Sequence, residues 1–342
     1  MVTLRIPALF FPTSVLLIDD NRQFIQNLSL QLNNEIISKI FVKPLSALEY
    51  LNNLEELQLE TKYFISSDEN GFSDKSSMDL NLSAIRGEVY NPARFTNVAV
   101  IVVDYAMPEI NGIELCEKIN NRSIKKIMLT GEADHHLAVA AFNAGIIDKF
   151  ILKSDLNLQK NLNEYIIELQ EKFFLEATAS IQHVLRSEPS YALGDAKMVE
   201  IFKKICHENQ IVEYYLLDAT GSFLLLDAVG KPSCFIIRNP FEAEMYCNFA
   251  EDSTVSPKTI AQIRSGEKIA YFPDMDRLHD STATEWQDYL YPAQRIDGET
   301  PCYYTVISDL QRSDVLRQAI VSYNEYIHKV DNTKIAKIPQ SV

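Results

Sequence analysis

Val98-Ala-Val-Ile-Val-Val-Asp104-Tyr-Ala-Met-Pro-Glu-Ile-Asn-Gly112 decides the fold, because an unbroken apolar run ends in an acid and then in a turn. A strand buried on both faces reads this way, without the alternation of a half-exposed strand. Three further runs share the pattern: Val15-Leu-Leu-Ile18 before Asp19 and Asp20, Ile127-Met-Leu129 before Thr130, and Phe150-Ile-Leu152 before Lys153. Amphipathic segments separate the runs, which predicts a doubly wound α/β fold, a parallel sheet with helices on both faces. In such sheets ligands and chemistry collect at the carboxyl ends of the strands, near the point where strand order reverses. Asp19, Asp20, Asp104, Thr130 and Lys153 are therefore expected on one rim.

Charge alone says what that rim can do. Three carboxylates brought within a few ångströms repel one another, so at neutral pH they share protons or hold a cation. Oxygen donors without Cys or His suit a hard octahedral ion such as Mg²⁺. Such an ion offsets charge on a phosphoryl oxygen while a carboxylate attacks phosphorus to form an acyl phosphate. Asp104 is the expected nucleophile, since Pro108 and Gly112 turn the chain away and leave its carboxylate at a strand-to-helix junction. Lys153 supplies fixed positive charge for the phosphoryl group, and Thr130 a short hydroxyl donor.

Ile18-Asp-Asp20, Val103-Asp104-Tyr-Ala-Met-Pro-Glu-Ile-Asn-Gly112, Leu129-Thr-Gly131 and Phe150-Ile-Leu-Lys153 resemble, in that order, the receiver domain of two-component response regulators, over residues 12–170. The resemblance implies a flavodoxin-like, five-stranded receiver and a phosphoaspartate switch. Asp104 would accept a phosphoryl group from a sensor histidine kinase. Asp19, Asp20 and Asp104 would hold Mg²⁺ together with the backbone carbonyl of Ala106, and Lys153 would contact the phosphoryl group. Thr130 and Phe150 would be the hydroxyl and aromatic pair that rearranges on phosphorylation. Taken singly, an Asp pair after a strand is a solvated turn and a Phe in a β-run is core; the ordered set carries the assignment.

Asp20 and Asp104 are separated by 83 residues, about 40 more than two helices and one strand need. Asn21–Leu32 reads as the first helix, Ile36–Val42 as the second strand and Leu45–Leu54 as the second helix. The surplus, residues 55–95, has a polar, turn-rich middle at Ser66–Ser77 and is expected as a surface insertion at the amino end of the sheet, opposite Asp104. A partner-specific surface is the alternative.

The 342 residues, 46% of them hydrophobic, have room for two domains. The expected division is a receiver at 1–156, an extended linker helix at 157–187 and an output domain at 188–342. No apolar stretch approaches membrane-spanning length and no secretory leader is read, so a cytoplasmic location is expected. Cys116, Cys206, Cys234, Cys247 and Cys302 show no metal-ligand spacing and an odd count, as reduced structural thiols do. His135 and His136 read as a surface pair at a helix start.

From Leu158 the apolar positions Leu162, Tyr165, Ile166, Leu169, Phe173, Ala177, Ile181, Val184 and Leu185 recur at spacings of three and four, without Gly or Pro until Pro189. A long helix with an overhang that pairs with its copy in a phosphorylation-promoted homodimer is expected; packing on its own output domain is the alternative. Beyond it, Glu213–Asp218 and Ser222–Asp227 read as a hairpin and Ser233–Arg238 as a third strand. Helices follow near Pro240–Phe249 and after the Ser256 cap and Pro257, then strands at Lys268–Phe272 and Cys302–Ile307 and a closing helix over Ser313–His328. That order is α+β with an antiparallel sheet. Its opening hairpin is similar to the start of PAS-type sensor domains, although the third strand follows early.

Residues 189–342 carry 15 Lys and Arg against 22 Asp and Glu, a net of −7 that opposes binding to nucleic acid. No basic recognition helix, cyclic-dinucleotide motif, kinase histidine box or Gly-rich phosphate loop is present. The overall arrangement resembles the Legionella-type quorum-sensing response regulators. The output is therefore expected to bind a downstream protein or a small molecule such as a nucleotide. An enzyme acting on a nucleotide, using Asp218, Asp227, Asp274, Asp276 or Arg295, is the alternative.

Overall fold

In the computed structural model, which describes residues 5–54, 62–66, 78–186, 193–272, 278, 282, 285–308, 310 and 320–335, the buried apolar runs form the parallel sheet they predict. The chain divides into two compact units: Phe11–Leu59 with Pro92–Thr178, and Met1–Phe10 with Glu60–Asn91 and Ala179–Val342.

The first unit holds β1 (Ser14–Ile18), β2 (Ser38–Phe41), β3 (Val98–Asp104), β4 (Lys125–Thr130) and β5 (Lys149–Leu152), all parallel in the order β2-β1-β3-β4-β5. This is the flavodoxin-like order. Five helices alternate with the strands: α1 (Arg22–Leu30), α2 (Pro44–Asn52), α3 (Gly112–Lys118), α4 (His135–Asn143) and α5 (Leu158–Ala177). Strand alternation splits the core between the two sheet faces. Leu16, Ile18, Ile101, Val103 and Met128 pack with Ala47 and Leu51 of α2, Leu115 and Cys116 of α3, and Ala138 and Ala141 of α4. Their neighbours Val15, Leu17, Val100, Val102, Ile127 and Leu129 point to the other face and are equally buried, each contributing about 1.5–3 kcal/mol by leaving water. Asn21 and Asn111 cap α1 and α3 by accepting from Phe24 N at 3.1 Å and Glu114 N at 2.9 Å. The chain steps outward from β1 to β2 and crosses back to β3, so the order reverses between β1 and β3, where Ile18 and Val103 sit opposite each other.

The long helix is interrupted. Thr178 leaves the helical conformation after α5, and its hydroxyl and backbone N–H both donate to Phe174 O, at 2.7 and 2.9 Å; a separate helix, Ala179–Leu185, follows. A threonine bonding back to the carbonyl four residues earlier competes with helix continuation. Apolar spacing does not register this break.

The second unit is built on a six-stranded antiparallel sheet. The strand Leu9–Phe10 is followed in space by β6 (Ile211–Leu216), β7 (Phe223–Asp227), β8 (Pro232–Arg238), β10 (Cys302–Ile307) and β9 (Gln294–Ile296). The helices α6 (Ala196–Glu208), α7 (Pro240–Asp252), α8 (Pro257–Arg264) and α9 (Tyr323–Ile335) accompany it. Phe202 of α6 packs edge-on or tilted against Tyr214, Phe223 and Phe235, so α6 covers one sheet face. Around Trp286 a second cluster joins Tyr246, Cys247, Ile260, Ile263 and Phe272, with Lys268–Ala270 paired to Leu290–Pro292.

The hairpin and third strand match the sequence reading, but β8 pairs directly with β7, so the likeness to PAS domains ends at the hairpin. The closing helix starts at Tyr323, and 313–319 lie outside the described residues. The compact units also follow other boundaries than 1–156 and 188–342. Leu9 and Phe10 ladder onto Tyr215 and Tyr214 of β6. From the insertion, Phe64–Ser66 pairs with Met78–Leu80, and the helix Leu82–Gly87 packs against β6. The described part of the insertion as far as Asn91 thus belongs to the antiparallel-sheet unit, and 92–95 belong to the receiver unit. None of the five cysteines forms a disulfide, and four of them are buried. Among the described residues no helix is long and apolar enough to cross a membrane.

Candidate functional site

The reversal point carries the predicted rim. Asp19 and Asp20 follow β1, Asp104 ends β3, Thr130 ends β4 and Lys153 follows β5. Lys153 N donates to Thr130 O at 2.9 Å, which fixes where its side chain starts. Its Nζ then lies 2.8 Å from Asp19 Oδ2 and 2.9 Å from Asp104 Oδ2, one ammonium shared by two buried carboxylates. Asp19, Asp20 and Asp104 each offer an oxygen within 4.8 Å of the others.

The two carboxylates are held differently. Asp19 Oδ1 accepts from Asn21 N at 2.8 Å, so both its oxygens are used. Asp104 Oδ1 is buried and has no hydrogen-bond partner. Burial pushes the Asp104 carboxyl above its usual range; Lys153 pulls it back, the Asp19 charge raises it again, and the Ala106 N–H lowers it less. Burial opposes the charge of Lys153, but hydrogen bonds and attraction to Asp19 and Asp104 prevail and raise its pKa. An all-oxygen acid cluster with one unsatisfied buried oxygen is the donor set a hard divalent cation fits.

Backbone geometry keeps Asp104 open. Gly112 N donates to Tyr105 O at 2.9 Å and Ile110 N to Pro108 O at 2.8 Å, with Glu109 at φ 70°. A Cβ on Gly112 would fall on the Asp104 carbonyl oxygen. Only glycine lets the start of α3 come this close.

Thr130 is fully buried, and its hydroxyl donates to Gly131 O at 3.1 Å. Phe150 is half-buried and packs edge-to-face against His135 and Phe142, at centroid distances of 5.4 and 6.1 Å. Both histidines are exposed at the start of α4. Sequence reading missed Phe24, whose ring lies 4.6 Å from Lys153 Nζ; its place in the first turn of α1, just past the Asp pair, was the available signal.

The output candidates are not assembled. Asp218 accepts from Gly221 N and Ser222 N at 3.1 and 3.0 Å, and Asp227 from Val229 N and Lys231 N at 3.0 and 2.8 Å; each caps a turn. Arg295 pairs with Asp297 at 2.7 Å on the surface. Asp274 and Asp276 lie outside the described residues.

The chain is 33% identical to the response regulator LqsR of Legionella pneumophila, covering 96% of this chain and 97% of that one at a TM-score of 0.80. It belongs to the LqsR-like response regulators. The family model for the response regulator receiver domain matches residues 74–163, a stretch that holds Asp104, Thr130, Phe150 and Lys153. Asp19 and Asp20 precede it because the insertion separates them from Asp104, and the parallel sheet returns them to the receiver's site. A CheY-like receiver from Methanospirillum hungatei JF-1 is 20% identical over 48% of this chain and 98% of that one, TM-score 0.33. An adenylate cyclase structure from Rhodopirellula baltica is 18% identical over 51% and 97%, TM-score 0.34. No curated protein matches the chain.

Proposed function

We propose that the receiver is a phosphoaspartate switch in a two-component phosphorelay. The buried, unpartnered Oδ1 of Asp104 carries the reading: Lys153 holds Oδ2, and Oδ1 remains free. Asp104 attacks the phosphorus of a phosphohistidine on a sensor kinase, the P–N bond breaks, and the acyl phosphate forms. Lys153 follows the charge from carboxylate to phosphoryl oxygen. Asp19, Asp20, Asp104 and the Ala106 carbonyl would hold Mg²⁺, which offsets negative charge on the incoming phosphoryl group.

The Thr130 hydroxyl, now spent on Gly131 O, turns to the phosphoryl oxygens, and the half-buried Phe150 ring repacks with it. That shift alters the surface of α4, β5 and α5 and promotes a homodimer. The acidic C-terminal unit acts in the cytoplasm as a binding module for a protein or small ligand, in quorum sensing, and not as an enzyme. Turn-capping by Asp218 and Asp227 supports the binding reading, since neither carboxylate is left for catalysis.

Solution mass measured with Mg²⁺, before and after acetyl phosphate, tests the switch. A rise to dimer that Asp104→Asn abolishes is expected. Confirmed phosphorylation at unchanged mass would remove dimerisation from the reading, and phosphate uptake by Asp104→Asn would remove the acceptor.

A further inference from the structure

In the antiparallel-sheet unit one buried cation is only half used. Arg238 ends β8 and is 6% exposed. Its Nη1 donates to Asp218 Oδ2 at 2.8 Å, Ile237 O at 2.7 Å and Ser222 Oγ at 3.2 Å. Its Nε is buried with no partner, and its Nη2 makes no hydrogen bond among the described residues. The ion pair with Asp218 therefore accounts for one nitrogen and leaves the Nε–Nη2 edge unexplained. Those two parallel N–H groups are the fork that takes a carboxylate or phosphate in two bonds, and leaving a buried one empty is costly.

Among the described residues the neighbouring carboxylates are already engaged. Asp218 already accepts three bonds, from Arg238, Gly221 and Ser222. Glu242 accepts from Asn239 N and from the Thr220 hydroxyl. The Tyr246 ring, 5.5 Å from the guanidinium carbon, gives an apolar wall. Strand alternation puts Cys234 and Arg238 on the sheet face opposite Phe235, away from α6. A second arginine, Arg86, also has a buried Nε without a partner and among the described residues bonds only the Ser83 hydroxyl, at 3.2 Å; its charge is felt by the Cys234 thiol. A buried guanidinium with donors to spare points to an anionic ligand.

We infer that the Nε–Nη2 edge of Arg238 binds an oxyanion, the phosphate or carboxylate group of a small-molecule ligand, in the C-terminal unit. This rests on the reading of that unit as a binding module and is independent of phosphoryl transfer at Asp104.

The test uses the full chain carrying Asp104→Asn, without Mg²⁺, titrated calorimetrically with inorganic pyrophosphate and separately with succinate. Saturable binding of either probe at millimolar concentration or below is expected, and the probe that binds tells phosphate from carboxylate. Arg238→Lys keeps the charge but loses the fork, so it should weaken binding about tenfold or more. Absence of binding by both probes, or unchanged affinity in Arg238→Lys, overturns the site. Should Arg238→Lys fail to fold, hydrogen exchange on the Asp104→Asn chain decides instead. Probe-dependent slowing confined to peptides around 218–222 and 236–243 supports the site, and slowing elsewhere or none overturns it. Failure here leaves the acetyl phosphate experiment untouched.

Discussion

Lys153 Nζ stands 2.9 Å from Asp104 Oδ2, although β4 lies between the strands that carry the two residues. The same nitrogen is 2.8 Å from Asp19 Oδ2. One cation therefore bridges the acceptor and its acidic neighbour. Burial and Asp19 push the Asp104 carboxyl up, and Lys153 is the largest influence holding it down.

Lys153→Met should move the acidic limb of the phosphorylation rate to higher pH. Without the ammonium the Asp104 pKa rises further, less nucleophilic carboxylate is present at a given acidic pH, and uptake from acetyl phosphate slows by about tenfold or more. A rate lowered equally at every pH would limit Lys153 to contacting the phosphoryl group.

Asp104→Asn should raise the melting temperature of the metal-free protein at neutral pH. Because the folded-state pKa of Asp104 is raised, its contribution is fully present below the ordinary value of 3.8 and lost as pH rises through the folded value. Above that the buried charge costs stability. Removing it should raise the melting temperature at neutral pH, with the gap closing as pH falls toward the ordinary carboxylate range. Calorimetric scans at several pH values check this, and a lower melting point at neutral pH would make Asp104 a structural acid.

Gly112→Ala places a methyl on the Asp104 carbonyl oxygen, a backbone atom that cannot rotate away. The start of α3 must shift, at a cost of about 1–3 kcal/mol, and the acceptor loop shifts with it. Urea unfolding should show the loss and acetyl phosphate labelling a slower uptake. Normal stability would mean that the loop accommodates the methyl.

The parallel sheet was legible because its central strands are buried on both faces and so are written as continuous apolar runs, each closed by a functional residue. Asp19, Asp20, Asp104, Thr130 and Lys153 could be placed on one rim from that alone. The strand Leu9–Phe10 could not: two residues carry no period, and their partners Tyr214 and Tyr215 lie some 200 positions on. Helix α6 was legible but unread, with Asp195 capping and Met198, Val199, Phe202 and Ile205 at helical spacing. The break at Thr178 comes from a side-chain hydroxyl bonding the backbone, which an apolar pattern does not record. Arg238 looked like any strand-end arginine, since its spare edge exists only once β8 and the β6–β7 turn meet.

Lys126→Met should stabilise the protein. Lys126 is buried at the start of β4, its Nζ donates to Ile124 O at 3.0 Å, and burial lowers its pKa. A lysine whose folded pKa is lowered binds fewer protons folded than unfolded, so stability rises with pH from the folded value up to about 10.5. Methionine has similar length without the charge and should raise the urea midpoint at neutral pH, an advantage that vanishes above that window. Urea midpoints across pH measure it, and a loss at neutral pH would show that the bond to Ile124 outweighs burial.

Leu9→Asp should separate the two units experimentally. Leu9 is fully buried and opposes Tyr215 at the edge of the antiparallel sheet, although it precedes the receiver in the chain. An aspartate there buries an unpaired charge and should cost about 3 kcal/mol or more in the unit that contains β6. Leu9 belongs to the same compact unit as 179–342, and Asp104 belongs to the other. Limited proteolysis should cleave the variant within 193–272 while acetyl phosphate still labels Asp104. Loss of labelling together with cleavage would mean that the receiver depends on the antiparallel-sheet unit for its own stability, and unchanged protection would mean that the edge pairing contributes little.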